Sequence, residues 1–159
     1  IAVVYIYRMG ALKMAFALAM SVGLVDNLAY RGIKQNFDRP RPFQNSEISW
    51  VRKLSDAHGN SFPSNHAANI FAGAATLAWF LPGGAYAFYI FAGFIAFSRV
   101  ALGVHYPSDA IAGMMLGLIV AFLIRIFILN RVSWFRLEKT VPTSDAISSG
   151  DRIRSRRLQ

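Results

Sequence analysis

Cysteine is absent from the 159 residues, so neither a disulfide framework nor a thiolate metal or redox centre can be built. Charge is scarce: 16% of residues are Asp, Glu, Lys or Arg, with 8 acidic against 17 basic. No stretch gathers several carboxylates, so a carboxylate-held divalent cation is not expected and the chain is read without a metal or cofactor. The basic residues do not follow one amphipathic face, which argues against a nucleic-acid partner. They sit in blocks between apolar runs. What is abundant is apolar matter, 55% hydrophobic and 14% aromatic, too much for an ordinary soluble domain of this size. The expected solvent is lipid.

The apolar runs define an all-α, multi-pass transmembrane helical bundle. The chain opens inside an apolar segment, 1–7, read as the end of a span whose beginning lies outside this sequence. A short basic connection, 8–13, precedes a span over 14–30, long enough to cross about 30 Å of hydrocarbon. Residues 31–64 are polar, basic and rich in Pro and Asn, and are expected as a loop outside the lipid. Within that loop Ile48, Trp50, Val51 and Leu54 are spaced for a short interfacial helix anchored by Trp50; a partly buried loop helix fits as well. A second span over 66–81 ends at Pro82-Gly83-Gly84, a tight hairpin. The third covers 85–98, and the fourth runs from Pro107, a favoured first helical position, to 129. Gly113 and Gly117, like Ala92 and Ala96, are four apart and allow close helix contact. Residues 131–159 read as a basic, partly disordered cytoplasmic tail.

Antiparallel spans with short connections bring Lys34, Arg41, Ser64, His66, Arg99, His105 and Asp109 to one membrane face. Arg8, Lys13, Arg125, Arg131 and the arginines of the tail fall on the other, which the positive-inside rule makes cytoplasmic. The motif face is then the outer, periplasmic side of a cell inner membrane. So many cations at a lipid boundary are costly unless an anion joins them. Arg41 and Arg99 can each fork onto two phosphate oxygens, and Lys34 adds a point charge. Ser64 precedes a helix whose first backbone N–H groups, those of Asn65 and His66, can face an anion. Any one of these cations alone would more often be a snorkelling side chain at headgroup level; the cluster carries the inference.

His105 and Asp109 stand four apart across a helix start. The carboxylate can take a proton from one imidazole nitrogen and leave the other as a nucleophile. His66, on another helix, can act as acid and base on the opposite side of a phosphorus atom, the division of labour that in-line displacement requires. His58, in a Gly/Asn-rich loop, is read as structural. Asp26 is an acid inside a span, functional by default, yet Tyr30 and Arg31 lie one turn away and a structural pair is at least as good a reading.

These stretches resemble the signature of the type 2 phosphatidic acid phosphatase superfamily, which includes vanadium haloperoxidases and bacterial acid phosphatases. Lys34 with Arg41-Pro42 matches Lys-x6-Arg-Pro, Pro63-Ser64-Asn65-His66 matches Pro-Ser-Gly-His with one change, and Ser98-Arg99, His105 and Asp109 match Ser-Arg-x5-His-x3-Asp. Arg39-Pro40 repeats the Arg-Pro pair two residues early, and spacing from Lys34 selects Arg41. The resemblance implies a phosphatase domain over 1–130 that works without metal: His105 is phosphorylated, Asp109 orients it, and His66 protonates the leaving group and then activates water. Lys34, Arg41, Ser64, the Asn65 amide and Arg99 would bind the phosphoryl oxygens. Asn65 stands where the family has Gly; Asn tolerates positive φ, but its side chain can crowd the site or touch substrate.

The substrate class so implied is a phosphorylated membrane lipid held in the bilayer, with undecaprenyl diphosphate, lipid A 1-phosphate and phosphatidylglycerophosphate as candidates. Two rivals use the same residues. A vanadate-dependent haloperoxidase would hold vanadate in the pocket, but those proteins are soluble. A non-catalytic lipid-phosphate carrier would need polar groups continuing to mid-bilayer and a repeat between halves, and the spans carry few of the first and no sign of the second.

Overall fold

In a computed structural model the described residues are 2–48, 51, 54 and 57–131, and the elements among them are helices and turns. Helix α1 is Ala2–Asn27, continued by a π-helical segment, Leu28–Lys34. Helix α2 is Asn65–Phe80, α3 is Ala85–Ala101 and α4 is Pro107–Arg131. Short 3₁₀ turns, Pro42–Gln44, Ser46–Ile48 and Pro82–Gly84, occupy the connections.

Two expectations need correction. Residues 8–13 do not interrupt the first helix, because Lys and Arg are good helix formers and the segment holds no proline to stop it. The helix also runs past Tyr30 to Lys34 through the π segment, a wider coil often found at functional sites. The Asn36 side-chain amide donates to the Gly32 carbonyl at 2.7 Å, and Lys34 therefore stands on a helix end rather than in a loop. Of the interfacial helix, Trp50 lies outside the described residues, Ile48 closes a 3₁₀ turn, and Leu54 is exposed. The tail, 132–159, also lies outside them.

Three helices are long and apolar enough to cross a membrane, Met9–Lys34, Pro82–Ala101 and Pro107–Ile128. With 16 residues, α2 falls short of the roughly 20 needed. It forms the centre of the bundle, packed against α1, α3 and α4.

Side-chain size is sorted inside out. The interior is largely alanine, with Ala67, Ala68 and Ala72 of α2 fully buried beside Ala92 and Ala96 of α3. Large apolar groups face outward at helical spacing: Leu12, Phe16, Met20 and Leu24 on α1, and Ile111, Met115, Ile119 and Phe122 on α4. Such a pattern would be a liability in water and suits lipid, where association depends on close backbone approach. Gly113 and Gly117 supply that approach: a Cβ on Gly113 would run into the Ser64 carbonyl, and one on Gly117 into the Ala68 carbonyl. The buried Thr76 hydroxyl donates to Ser21 across α1 and α2 at 3.0 Å.

Candidate active site

Each helix contributes one end to the site. The Ser64 hydroxyl caps α2, accepting the Ala67 N–H at 3.4 Å, while the Ser64 N–H donates to the Asp109 carbonyl at 3.0 Å. That bond ties the first turns of α2 and α4 together. Arg99 lies in the last turn of α3, where a cation opposes the partial negative charge of the helix end. The chain then reverses through Gly103, at a φ of 70° that a side chain would strain, and delivers His105 just ahead of Pro107. The 57–61 loop is held by the Ser61 N–H on the Arg39 carbonyl at 2.9 Å and the Asn60 amide on the Lys34 carbonyl at 3.2 Å.

The result is a cavity of about 260 Å³ lined by Lys34, Arg41, Asn65, His66, Arg99 and His105, together with Tyr30, Ala57 and His58. Six of the eight residues expected to form the site therefore meet in one chamber. Asp109 is fully buried behind His105, and Ser64 is fully buried beneath the α2 terminus. Lys34 Nζ donates to the Pro63 carbonyl and to Asn65 Oδ1, both at 3.4 Å. Arg99 Nε is buried and has no partner among the described residues. Asn65 needs no positive φ; it is the first residue of α2, and its backbone is helical.

Arg41 departs from the fork expected of it. It is nearly fully buried, and its donors close on carbonyls: Nε on Gly59 at 3.0 Å, Nη1 on Val104 at 2.9 Å and Nη2 on His58 at 2.9 Å. Burial, foremost, lowers its pKa from the ordinary arginine value; Asp109 opposes that shift and Arg99 adds to it. Arg41 thus locks the loop as well as bordering the cavity. Its Nη1 also stands 3.4 Å from His105 Nε2. A guanidinium can only donate, so this contact assigns the lone pair to Nε2 and the hydrogen to Nδ1. His105 Nδ1 faces Asp109 Oδ2 at 3.7 Å, beyond hydrogen-bond length. Burial lowers the His105 pKa, the Asp109 carboxylate opposes the shift, and the Arg41 and Lys34 charges add to it. The Nε2 lone pair thus lies at the cavity wall beside Arg41, and the neutral imidazole is the form a nucleophile requires.

Sequence spacing set Arg39 aside, and the structure gives it a place. Its Nη1 pairs with Asp109 Oδ1 at 2.6 Å, donates to Ser108 Oγ at 3.0 Å, and its guanidinium lies 4.2 Å over the Tyr106 ring. The other carboxylate oxygen accepts the Tyr106 N–H at 2.9 Å. The doubled Arg-Pro was the available signal: one arginine serves the chamber, and the other holds the carboxylate behind it. Asp26 departs from the pairing expected on its own helix; it accepts the side-chain amides of Asn69 at 2.9 Å and Asn65 at 3.4 Å from α2.

The fold and site define a helical, membrane-embedded bundle with a cationic chamber at one end, lined by His58, His66 and His105. The chain belongs to the PAP2 superfamily, whose family model matches residues 10–133. It is 34% identical over 113 residues to an undecaprenyl-diphosphatase of Sulfolobus acidocaldarius, covering 70% of this chain and 51% of that protein. It is 35% identical over 103 residues to a lipid A 1-phosphatase of Rhizobium etli, covering 64% of this chain and 44% of that protein. The chain thus spans about half the length of the curated relatives it matches. The crystal structure of a transmembrane PAP2-type phosphatidylglycerolphosphate phosphatase from Bacillus subtilis superposes with a TM-score of 0.55 at 29% identity, over 85% of this chain and 72% of that one.

Proposed function

We propose that this protein is an integral-membrane lipid phosphatase that transfers a phosphoryl group to His105 and then to water. The observation that carries the reading is that His66 and His105 border one chamber together with Lys34, Arg41 and Arg99. His105 Nε2 attacks phosphorus as the bond to the leaving oxygen breaks, and His66, starting in its protonated form, gives that oxygen its proton and becomes neutral. Water then attacks the phosphohistidine and yields its proton to His66; inorganic phosphate leaves, and both imidazoles return to their starting state. Lys34, Arg99 and the backbone N–H groups opening α2 offset the charge that builds on the equatorial oxygens. Asp109, held by Arg39, keeps the His105 ring turned so that its lone pair faces phosphorus.

The substrates are phosphate or diphosphate groups on lipids whose chains stay in the bilayer, in line with what the relatives' names describe. The positive-inside distribution supports a chamber facing the periplasmic side of the inner membrane. Phosphate release from purified lipid phosphates tests the reading, with His105→Ala as the decisive variant. Loss of about a thousandfold or more is expected on removing a nucleophile, with the fold intact by circular dichroism. Undiminished release, or a protein that binds the lipids without ever releasing phosphate, would overturn it.

A further inference from the structure

A second and larger cavity, about 720 Å³, opens between α1, α2 and α3. Its walls are apolar, among them Val22, Ile70, Phe88 and Phe91, while its head carries Asp26, Asn65, His66 and Asn69. Asn65 and His66 also border the phosphate chamber. The groove therefore begins where the chamber ends, on the His66 side.

Asp26 is the one carboxylate among the residues lining this groove. An acid in such surroundings is expensive without a role. Amides from two positions of α2 converge on a single oxygen, Oδ1, from Asn69 Nδ2 at 2.9 Å and Asn65 Nδ2 at 3.4 Å. They fix the carboxylate while leaving Asp26 exposed. Asn65 is the bridge between the two cavities, since its own Oδ1 accepts Lys34 Nζ at 3.4 Å. A carboxylate only accepts hydrogen bonds, so its neighbour in a bound lipid has to be a donor and is disfavoured as an anion.

In the phosphatase reading the leaving oxygen lies on the His66 side of phosphorus, and whatever it carries enters the groove past Asp26. For a lipid diphosphate that next group is a second phosphate, which meets like charge in apolar surroundings. For a glycerol or sugar phosphomonoester it is carbon bearing a hydroxyl. We propose that Asp26, Asn65 and Asn69 form a hydroxyl-reading subsite at the head of the groove, which selects lipid phosphomonoesters whose leaving alcohol carries a free hydroxyl and discriminates against lipid diphosphates. The proposal rests on the phosphatase reading and adds the substrate class to it; Asp26 determines specificity and takes no part in the chemistry.

The test compares phosphate release by the full chain in detergent micelles from 1-oleoylglycerol 3-phosphate, whose leaving glycerol keeps a free hydroxyl, and from farnesyl diphosphate. The wild type is expected to favour the monoester in kcat/KM by about tenfold or more. Asp26→Asn keeps the shape and removes the charge; it should raise kcat/KM for the diphosphate about tenfold and bring the ratio near unity. Asn69→Ala frees the carboxylate from its nearer amide and serves if the first variant fails to fold; it should lower kcat/KM for the monoester several-fold more than for the diphosphate and so reduce the ratio between them. A ratio unmoved by either variant, or a wild type that favours the diphosphate, overturns the subsite. A wild type that releases phosphate from neither probe, with His105→Ala indistinguishable from it, overturns the phosphatase reading itself and the subsite with it.

Discussion

Inside the bundle, from one turn beyond Ser64, α2 and α4 meet through Gly117 and the Ala68 carbonyl, whereas at the motif end they are tied by the Ser64–Asp109 backbone bond, beside which Arg39 holds Asp109 and Arg41 holds the Val104 carbonyl. The middle coheres by shape and the end by hydrogen bonds. Lipid explains the difference: chains compete with apolar contacts on equal terms there, so contact between helices has to come from small residues. At the boundary, water and headgroups compete with polar contacts, and order there comes from donors closed on protein partners, with Arg99 Nε and His105 Nδ1 among the exceptions. Substitutions in the middle should therefore remove the fold with the chemistry, and substitutions at the end should remove the chemistry and spare the fold.

Gly117→Val strikes that contrast hardest. The added side chain has no space against the Ala68 carbonyl and the Ala72 N–H, and the helices have to separate along the seam. A loss of about 3 kcal/mol or more is expected from overpacking of this kind. It is read as loss of monodisperse protein in size-exclusion chromatography and a lowered thermal midpoint, along with activity. A variant that stays folded and active would show that the α2–α4 seam is softer than its geometry.

Arg39→Gln tests the other half. The buried Asp109 would lose a charged partner at 2.6 Å, yet Arg39 is itself half-exposed and lies outside the chamber lining. The expected effect is a fall in kcat by up to about a hundredfold, within the range that acid–base positioning contributes, with KM little changed and Arg39→Lys recovering part of it. A fall confined to KM would make Arg39 a substrate-binding group and not a positioning residue.

Much of this division was legible in the sequence. The spans show in runs of apolar residues, and the ends of α2, α3 and α4 follow from Ser64, from Pro82-Gly83-Gly84 and from Pro107. Six residues of the chamber were found through spacing. What spacing could not give was how donors are shared. Arg41 and Arg39 carry the same side chain two residues apart, and only the path of the 57–61 loop decides that one is spent on carbonyls and the other reaches Asp109. Asp26 was hidden for a like reason: its partners are 39 and 43 residues away, while the pairing that sequence offers is a turn away. The continuity of α1 through 8–13 was missed because two basic residues in an apolar stretch look like a boundary, although neither one breaks a helix.

The finest probe of the motif end is pH. His105 attacks only as the neutral imidazole, and burial sets its pKa below the ordinary value of 6.5, with Asp109 pulling the other way and Arg41 pushing further down. The acid limb of kcat/KM, which reports the free enzyme, should therefore fall below pH 6.5, since the attacking form persists until pH drops through the lowered value. The sign carries over to stability. The unfolded chain holds this proton to higher pH than the folded one, so the contribution is complete above the unfolded value and declines as pH falls through the folded one. Two variants should then move the limb in opposite directions even where they slow turnover: Arg41→Gln removes a cation facing Nε2 and shifts it to higher pH, and Asp109→Asn removes the opposing carboxylate and shifts it to lower pH. A limb that follows neither substitution would mean that the titrating group is not His105.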